Sequence, residues 1–204
     1  IDTVFFDLDG TLLPMDQDQF VDTYMGLLAK KLAPHGYEPK HLIAAVWAGT
    51  RAMVENTGEK RNEEAFWEDF CHIFGEGARK DQPLFEEFYA GDFAKARTVC
   101  GFDPAAGEII ALLKARGIRT ALATNPLFPA IATNQRIRWA GLKPEDFSLI
   151  TTYENSCRAK PSPEYYREIL QKLGKKPENC LMVGNDVAED MVPAAAVGMQ
   201  VFLL

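Results

Sequence analysis

Two aspartates one residue apart, in Asp7-Leu8-Asp9-Gly10-Thr11-Leu12, follow the apolar, strand-forming run Thr3-Val4-Phe5-Phe6. Positions two apart on a strand point to the same side, so Asp7 and Asp9 are expected to converge at its carboxyl end. Gly10 lets the chain turn sharply there. Two neighbouring carboxylates repel each other and are costly to desolvate, so they need a shared proton or a cation. Mg²⁺ fits that need, being hard, oxygen-seeking and commonly bound together with phosphate. Turn-forming or helix-capping aspartates would account for one of the pair but poorly for both, because one directly follows a hydrophobic run.

Three further signals fall later in the chain. Gly184-Asn185-Asp186-Val187-Ala188-Glu189-Asp190 is acidic and follows a predicted strand; by itself it also reads as an acidic helix start favoured by the macrodipole. Thr124-Asn125-Pro126 ends another strand, where a hydroxyl and backbone N–H groups could hold a phosphate oxygen. Lys160-Pro161 opens a loop whose lysine could reach the same place as a mobile cation. In an open α/β sheet, ligands bind at the carboxyl ends of strands near a switch in strand order, so two acidic clusters at two such ends can meet on one metal ion.

The elements that must position these groups alternate. Short apolar runs at 3–8, 118–124, 147–152, 180–184 and 199–203 read as buried strands. Asp103-Pro104 reads as an N-cap with proline at the first helical position, and Gly117 closes that helix. Residues 163–173 and 187–197 read as further helices. Strands alternating with helices imply a parallel sheet with right-handed crossovers. Residues 16–98 differ, because their apolar residues recur only at helical spacing. Breaks near Pro34-His35-Gly36, Asn56-Thr57-Gly58 and 75–77 divide them into four helices. The expected organisation is an α/β core from 1–14 and 101–204 and a helical domain from 15–100.

Taken in order, the four signals resemble the haloacid dehalogenase-like (HAD-like) hydrolase superfamily over almost the whole chain. Asp7-Leu8-Asp9-Gly10-Thr11 matches its first motif, Thr124 its second, Lys160-Pro161 its third and residues 184–190 its fourth. The resemblance implies a Rossmann-like parallel sheet flanked by helices, with an inserted all-helical cap. It also implies a Mg²⁺-dependent phosphatase in which Asp7 attacks phosphorus, Asp9 passes protons, and Thr124, Asn125 and Lys160 hold the phosphoryl group. The metal would be bound by Asp7, Asp186 and the backbone carbonyl of Asp9, with Asp190 orienting Lys160 or a metal-bound water. One departure stands out: the fourth motif usually places its first acid directly after the glycine, where this chain has Asn185. Asn185 is therefore a second candidate ligand beside Asp186.

The family also contains dehalogenases and phosphomutases. A dehalogenase needs neither Mg²⁺ nor the second acid, so Asp9, Asp186 and Asp190 argue against it. A phosphomutase stays open, as does an idle member whose cap binds a partner. Composition narrows the remaining classes. With 22 basic and 29 acidic residues, and basic residues only in scattered pairs, nucleic acid is not the expected partner. No apolar run approaches bilayer length, so no membrane span is expected, and no signal peptide is read at Ile1. Cys71, Cys100, Cys157 and Cys180 form no CxxC pair and read as buried reduced thiols of a cytoplasmic protein. Phe20, Tyr24, Trp47, Phe66, Trp67 and Phe70 are expected in the core of the cap. The expected partner is a small phosphorylated molecule bound by a monomer or homodimer.

Overall fold

The computed structural model describes all 204 residues. Four parallel strands, β1 (Thr3–Phe6), β2 (Arg119–Leu122), β3 (Cys180–Gly184) and β4 (Gln200–Leu203), form one sheet in the order β2-β1-β3-β4. Phe5 pairs with Ala121 on one side and Met182 on the other, so β1 is central and buried on both faces. Along β1 the side chains alternate: Val4 and Phe6 enter a large apolar cluster that continues into the helical insert, and Phe5 enters a smaller one with Tyr165, Tyr166 and Ile169. The strand order switches at β1, where chain connections leave toward β2 on one side and β3 lies on the other. That is the position at which such sheets bind ligands.

Between β1 and the next core helix run α1 (Gln17–Leu32), α2 (Pro39–Val54), α3 (Asn62–Phe74) and α4 (Gln82–Ala90), with 3₁₀ turns joining α1 to α2 and α3 to α4 and an irregular loop over 55–61 joining α2 to α3. α1 begins where the Asp16 carboxylate accepts the Gln19 N–H at 2.8 Å. The core then continues with α5 (Pro104–Ala115), α6 (Ala130–Trp139), α7 (Pro163–Leu173) and α8 (Val192–Ala196). α5 starts at the Asp103 cap read from the sequence and α7 spans the expected 163–173; in the structure Ser162 caps α7 in the same way, each helix having proline as its first residue. The insert is held to α6 and the loop before it by aromatic packing, with Phe93 stacked on Trp139 at 5.3 Å and Tyr24 edge-on to Phe128 at 5.3 Å.

Several expectations differ from what is seen. Residues 147–152 run beside β2, with Leu122 N–H donating to Leu149 and Thr151 N–H to Leu122, but make one isolated bridge, Leu122–Ile150, and no strand. The helix expected over 187–197 opens instead with a π-turn at Val187–Met191. Pro193 has no N–H for the carbonyl of Glu189, four residues earlier, and the Tyr166 hydroxyl donates to that oxygen instead at 3.0 Å. Of the six aromatics expected in the core of the insert, Trp47 lies on its surface, 48% exposed, and the other five are buried. All four cysteines are free, but only Cys71 and Cys180 are buried; Cys100 and Cys157 are half-buried.

Candidate active site

Asp7 and Asp9 do not sit on the strand itself. β1 ends at Phe6, and the Asp7 N–H still donates to Val183 of β3 at 2.9 Å before the chain turns. The turn is made by Gly10 at φ 87°, a conformation L side chains rarely adopt, and a Cβ there would come within 2.5 Å of the Asn185 amide. Glycine thus lets the loop after β1 lie directly against the loop after β3. Thr11 ties the two together: its hydroxyl donates to Asn185 Oδ1 at 3.0 Å, with Asp7 Oδ2 3.4 Å away.

Lys160 reaches this point from the loop before α7. It is 1% exposed, and its Nζ donates to Asp7 Oδ1 at 2.8 Å and to Asp190 Oδ1 at 2.6 Å. Its backbone N–H donates to Asn125 Oδ1 at 3.2 Å, joining the loop after β2 to that before α7. Burial alone would push the ammonium down, but the Asp7 and Asp190 carboxylates outweigh it and hold its pKa well above the usual lysine value. Asp7 is moved up to about 6, chiefly by burial, with Asp190 and Asp9 adding to the rise and Lys160 opposing it. Asp190 also accepts the Asp186 N–H through Oδ2 at 3.1 Å, and a Cβ on Gly184 would overlap its carboxylate. Glu189, half-buried against the same loop, has its pKa raised by burial.

These groups line one cavity of about 230 Å³ whose walls are Asp7, Asp9, Gln17, Thr124, Asn125, Asn185, Asp186, Glu189 and Asp190. The residues singled out from sequence at the ends of β1, β2 and β3 therefore face a common space, and Lys160 supports it from beneath. Asn185 and Asp186 both line it. Asp7 and Asp9, expected to converge, instead turn to different cations: Asp7 to Lys160, Asp9 to Arg136 on α6. Asp186 Oδ1 accepts the N–H groups of Ala188 and Glu189, at 2.7 and 2.8 Å. With each carboxylate so engaged, no three acidic side chains sit in metal-holding geometry.

The donor set nonetheless fits a hard divalent ion in its chemistry. Every polar group on the cavity wall offers oxygen or an amide, and five wall carboxylates face only two buried cations, Lys160 and Arg136. One atom is conspicuous: Asp9 Oδ1 is buried with no hydrogen-bond partner. A buried carboxylate oxygen without a partner costs roughly 1–3 kcal/mol or more, and a bound cation or substrate would remove that cost. A larger groove of about 380 Å³ between α5, β3 and β4 is lined almost wholly by aliphatic and aromatic side chains and offers no comparable chemistry.

Sequence reasoning did not find Arg136, Gln17 or Asn62. Arg136 lies on α6, a helix with little amphipathic pattern and a second arginine two residues on, so nothing local marks which one is buried. Asn62, wholly buried at the start of α3, donates to the carbonyls of Pro126 and Arg158 at 3.3 and 3.1 Å. It thus clamps the insert to the two loops that carry Asn125 and Lys160.

The model of one family, haloacid dehalogenase-like hydrolase, matches residues 1–198. The chain belongs to that family. Among curated proteins it is 29% identical over 197 residues to a bifunctional riboflavin kinase/FMN phosphatase of Arabidopsis thaliana, covering 96% of this chain and 45% of that one. It is 24% identical to a phosphoglycolate phosphatase of Aquifex aeolicus, covering 91% of this chain and 76% of the other. The chain thus spans under half of the first relative and about three quarters of the second. In fold it resembles a HAD phosphatase from Thermococcus onnurineus, with a TM-score of 0.60 at 18% identity, covering 100% of this chain and 86% of that one. A Bacteroides thetaiotaomicron family member solved with magnesium and inorganic phosphate superposes with a TM-score of 0.59 at 15% identity, covering 100% and 93%. No helix of the chain is long and apolar enough to cross a membrane.

Proposed function

We propose that this chain is a Mg²⁺-dependent phosphatase that hydrolyses a small phosphorylated metabolite through an aspartyl-phosphate on Asp7. The observation that carries the reading is the Asp7–Lys160–Asp190 chain of contacts, at 2.8 and 2.6 Å, under a cavity walled by oxygen donors. Phosphate-monoester hydrolysis has one of the highest uncatalysed barriers known, so on the order of 20 kcal/mol or more must be removed. A covalent route divides that barrier into two smaller ones. In the first, an Asp7 oxygen bonds to phosphorus as the ester P–O bond breaks, and Asp9 gives its proton to the leaving oxygen. In the second, Asp9 takes a proton from water, whose oxygen bonds to phosphorus and frees Asp7. Lys160, fixed by Asp190, faces the negative charge on the transferring group, and Thr124 and Asn125 sit where its oxygens would lie.

Asp7, Asp186 and the Asp9 backbone carbonyl would hold Mg²⁺, with Asn185 beside them; when bound, the ion supplies positive charge that offsets repulsion between carboxylate and phosphate. The magnesium and phosphate of the Bacteroides relative support this reading. The helical segment 15–100 would act as a cap over the 1–14 and 101–204 core, excluding water and choosing the leaving group. The test is a panel of phosphorylated metabolites incubated with the Mg²⁺-loaded protein. Release of inorganic phosphate is expected, and conversion of one sugar phosphate into its isomer without phosphate release would make it a mutase.

A further inference from the structure

Arg136 is the one buried cation at this site with no place in the scheme above. Its side chain is wholly buried, and its guanidinium carbon lies 4.3 Å from the centre of the Phe128 ring. Nη1 binds Asp9 Oδ2, Nη2 reaches Thr133 Oγ1 at 3.3 Å, and Nε has no partner. The plane is thus fixed by stacking and by Thr133, and only then offered to Asp9. It takes one carboxylate oxygen and leaves the other, Oδ1, buried and unpartnered. Arg136 is not among the residues lining the cavity, whereas Asp9 is.

We propose that Arg136 is the positioning residue of Asp9: by anchoring Oδ2 it holds Oδ1 where that oxygen can hand a proton to the leaving group. The inference rests on the phosphatase reading, in which the Asp7 oxygen bonds to phosphorus, the ester P–O bond breaks and the Asp9 proton passes to the departing oxygen. Anchored through one oxygen, the carboxylate loses its rotational freedom but keeps a free atom for the proton. An ion pair serving stability alone would leave the proton transfer untouched when removed, once the folded fraction is accounted for.

Leaving-group dependence separates the two roles. p-Nitrophenolate departs without a proton, whereas the alkoxide of a simple alkyl phosphate requires one. With this chain and Mg²⁺, kcat/KM for both esters, which reports the step in which the leaving group departs and not the later hydrolysis common to both, is measured in wild type, Arg136→Met, Arg136→Lys, Asp9→Asn and the Asp9→Asn/Arg136→Met pair. Arg136→Met is expected to lower kcat/KM for the alkyl ester at least about tenfold more than for p-nitrophenyl phosphate. Arg136→Lys should show the same bias at smaller size and stands in for the methionine variant if that one does not fold. Adding Arg136→Met to Asp9→Asn should leave the ratio between esters unchanged, because the two residues act through one carboxylate. Equal losses on both esters in the arginine variants overturn the inference while leaving the phosphatase reading standing. A wild-type chain that turns over neither ester refutes the phosphatase reading, and the inference with it.

Discussion

At the scale of single residues, the site is a contest between carboxylates and buried cations. Lys160 satisfies Asp7 and Asp190 together, so replacing it leaves two buried carboxylates unpaired, a change costing about 3–5 kcal/mol in comparable buried pairs. Lys160→Met should therefore lower both turnover and denaturant stability, which urea unfolding would show. Asp7 behaves differently. Its folded pKa is raised to about 6, mainly by burial, against an ordinary value of 3.8. Between those values the folded metal-free chain holds a proton that the unfolded chain releases, so the contribution of Asp7 to stability is present below about 4 and lost as pH rises through about 6. Asp7→Asn should accordingly raise the Tm of metal-free protein above pH 6 and change it little near pH 4, by scanning calorimetry. A lower Tm for the variant at neutral pH would contradict the reading of Asp7 as a group held in its charged form against its surroundings. Asp7, Asp9 and Thr124 stand out in the sequence as candidates because each lies at or beside the end of an apolar run, where a polar residue needs a reason, whereas Lys160, in a polar loop, stands out only by its order among the other motifs. Arg136 does not stand out in this way, since the ring that covers it, Phe128, precedes its own helix and packs on Phe93 of the insert, so the pattern along α6 does not reveal it.

At the scale of elements, the loops that carry the site are fixed by contacts from outside the sheet. Asn62 joins the start of α3 to Pro126 and Arg158, and backbone bonds from Asn62 to Ser156 and Glu63 to Tyr153, at 2.8 and 2.9 Å, reinforce it. Asn62→Ala leaves those two carbonyls without their side-chain donor, and we expect a loss of about 1–3 kcal/mol in urea unfolding. Faster amide exchange over residues 55–62 and 153–160 should accompany it; unchanged exchange there would show that the clamp does not hold the two segments together. The start of α5 was easy to read, because Asp103-Pro104 carries a cap acceptor beside a residue that needs no donor. Residues 147–152 have strand composition but form a single bridge, since composition reports burial and not whether a neighbour takes up the full ladder. The π-turn at Val187–Met191 follows from Pro193 and the Tyr166 hydroxyl, and Tyr166 is supplied by another helix, so the sequence around residue 187 carries no sign of it.

At the scale of the whole molecule, the alternation of strands and helices with one helical interruption was enough to give a parallel sheet and its insert. What it could not give is how the insert sits on the core, because that depends on the Phe93–Trp139 and Tyr24–Phe128 contacts across sequence separations that periodicity does not connect. Phe93→Ala should destabilise the chain by about 3–5 kcal/mol, since Phe93 is wholly buried within this interface. The excess of acidic side chains around the cavity means that a divalent cation should bind the folded chain and not the unfolded one. Mg²⁺ at 100 times its Kd should then add about 2.7 kcal/mol to stability, measured as a rise in Tm. The most direct measurement of the central claim is hydrolysis of p-nitrophenyl phosphate by EDTA-stripped protein before and after Mg²⁺ is restored, with wild type and Asp7→Asn side by side. The account predicts a silent stripped wild type, recovery with Mg²⁺, and no turnover by Asp7→Asn in either condition. Turnover by stripped wild type, or near-wild-type rates from Asp7→Asn with Mg²⁺, would contradict it.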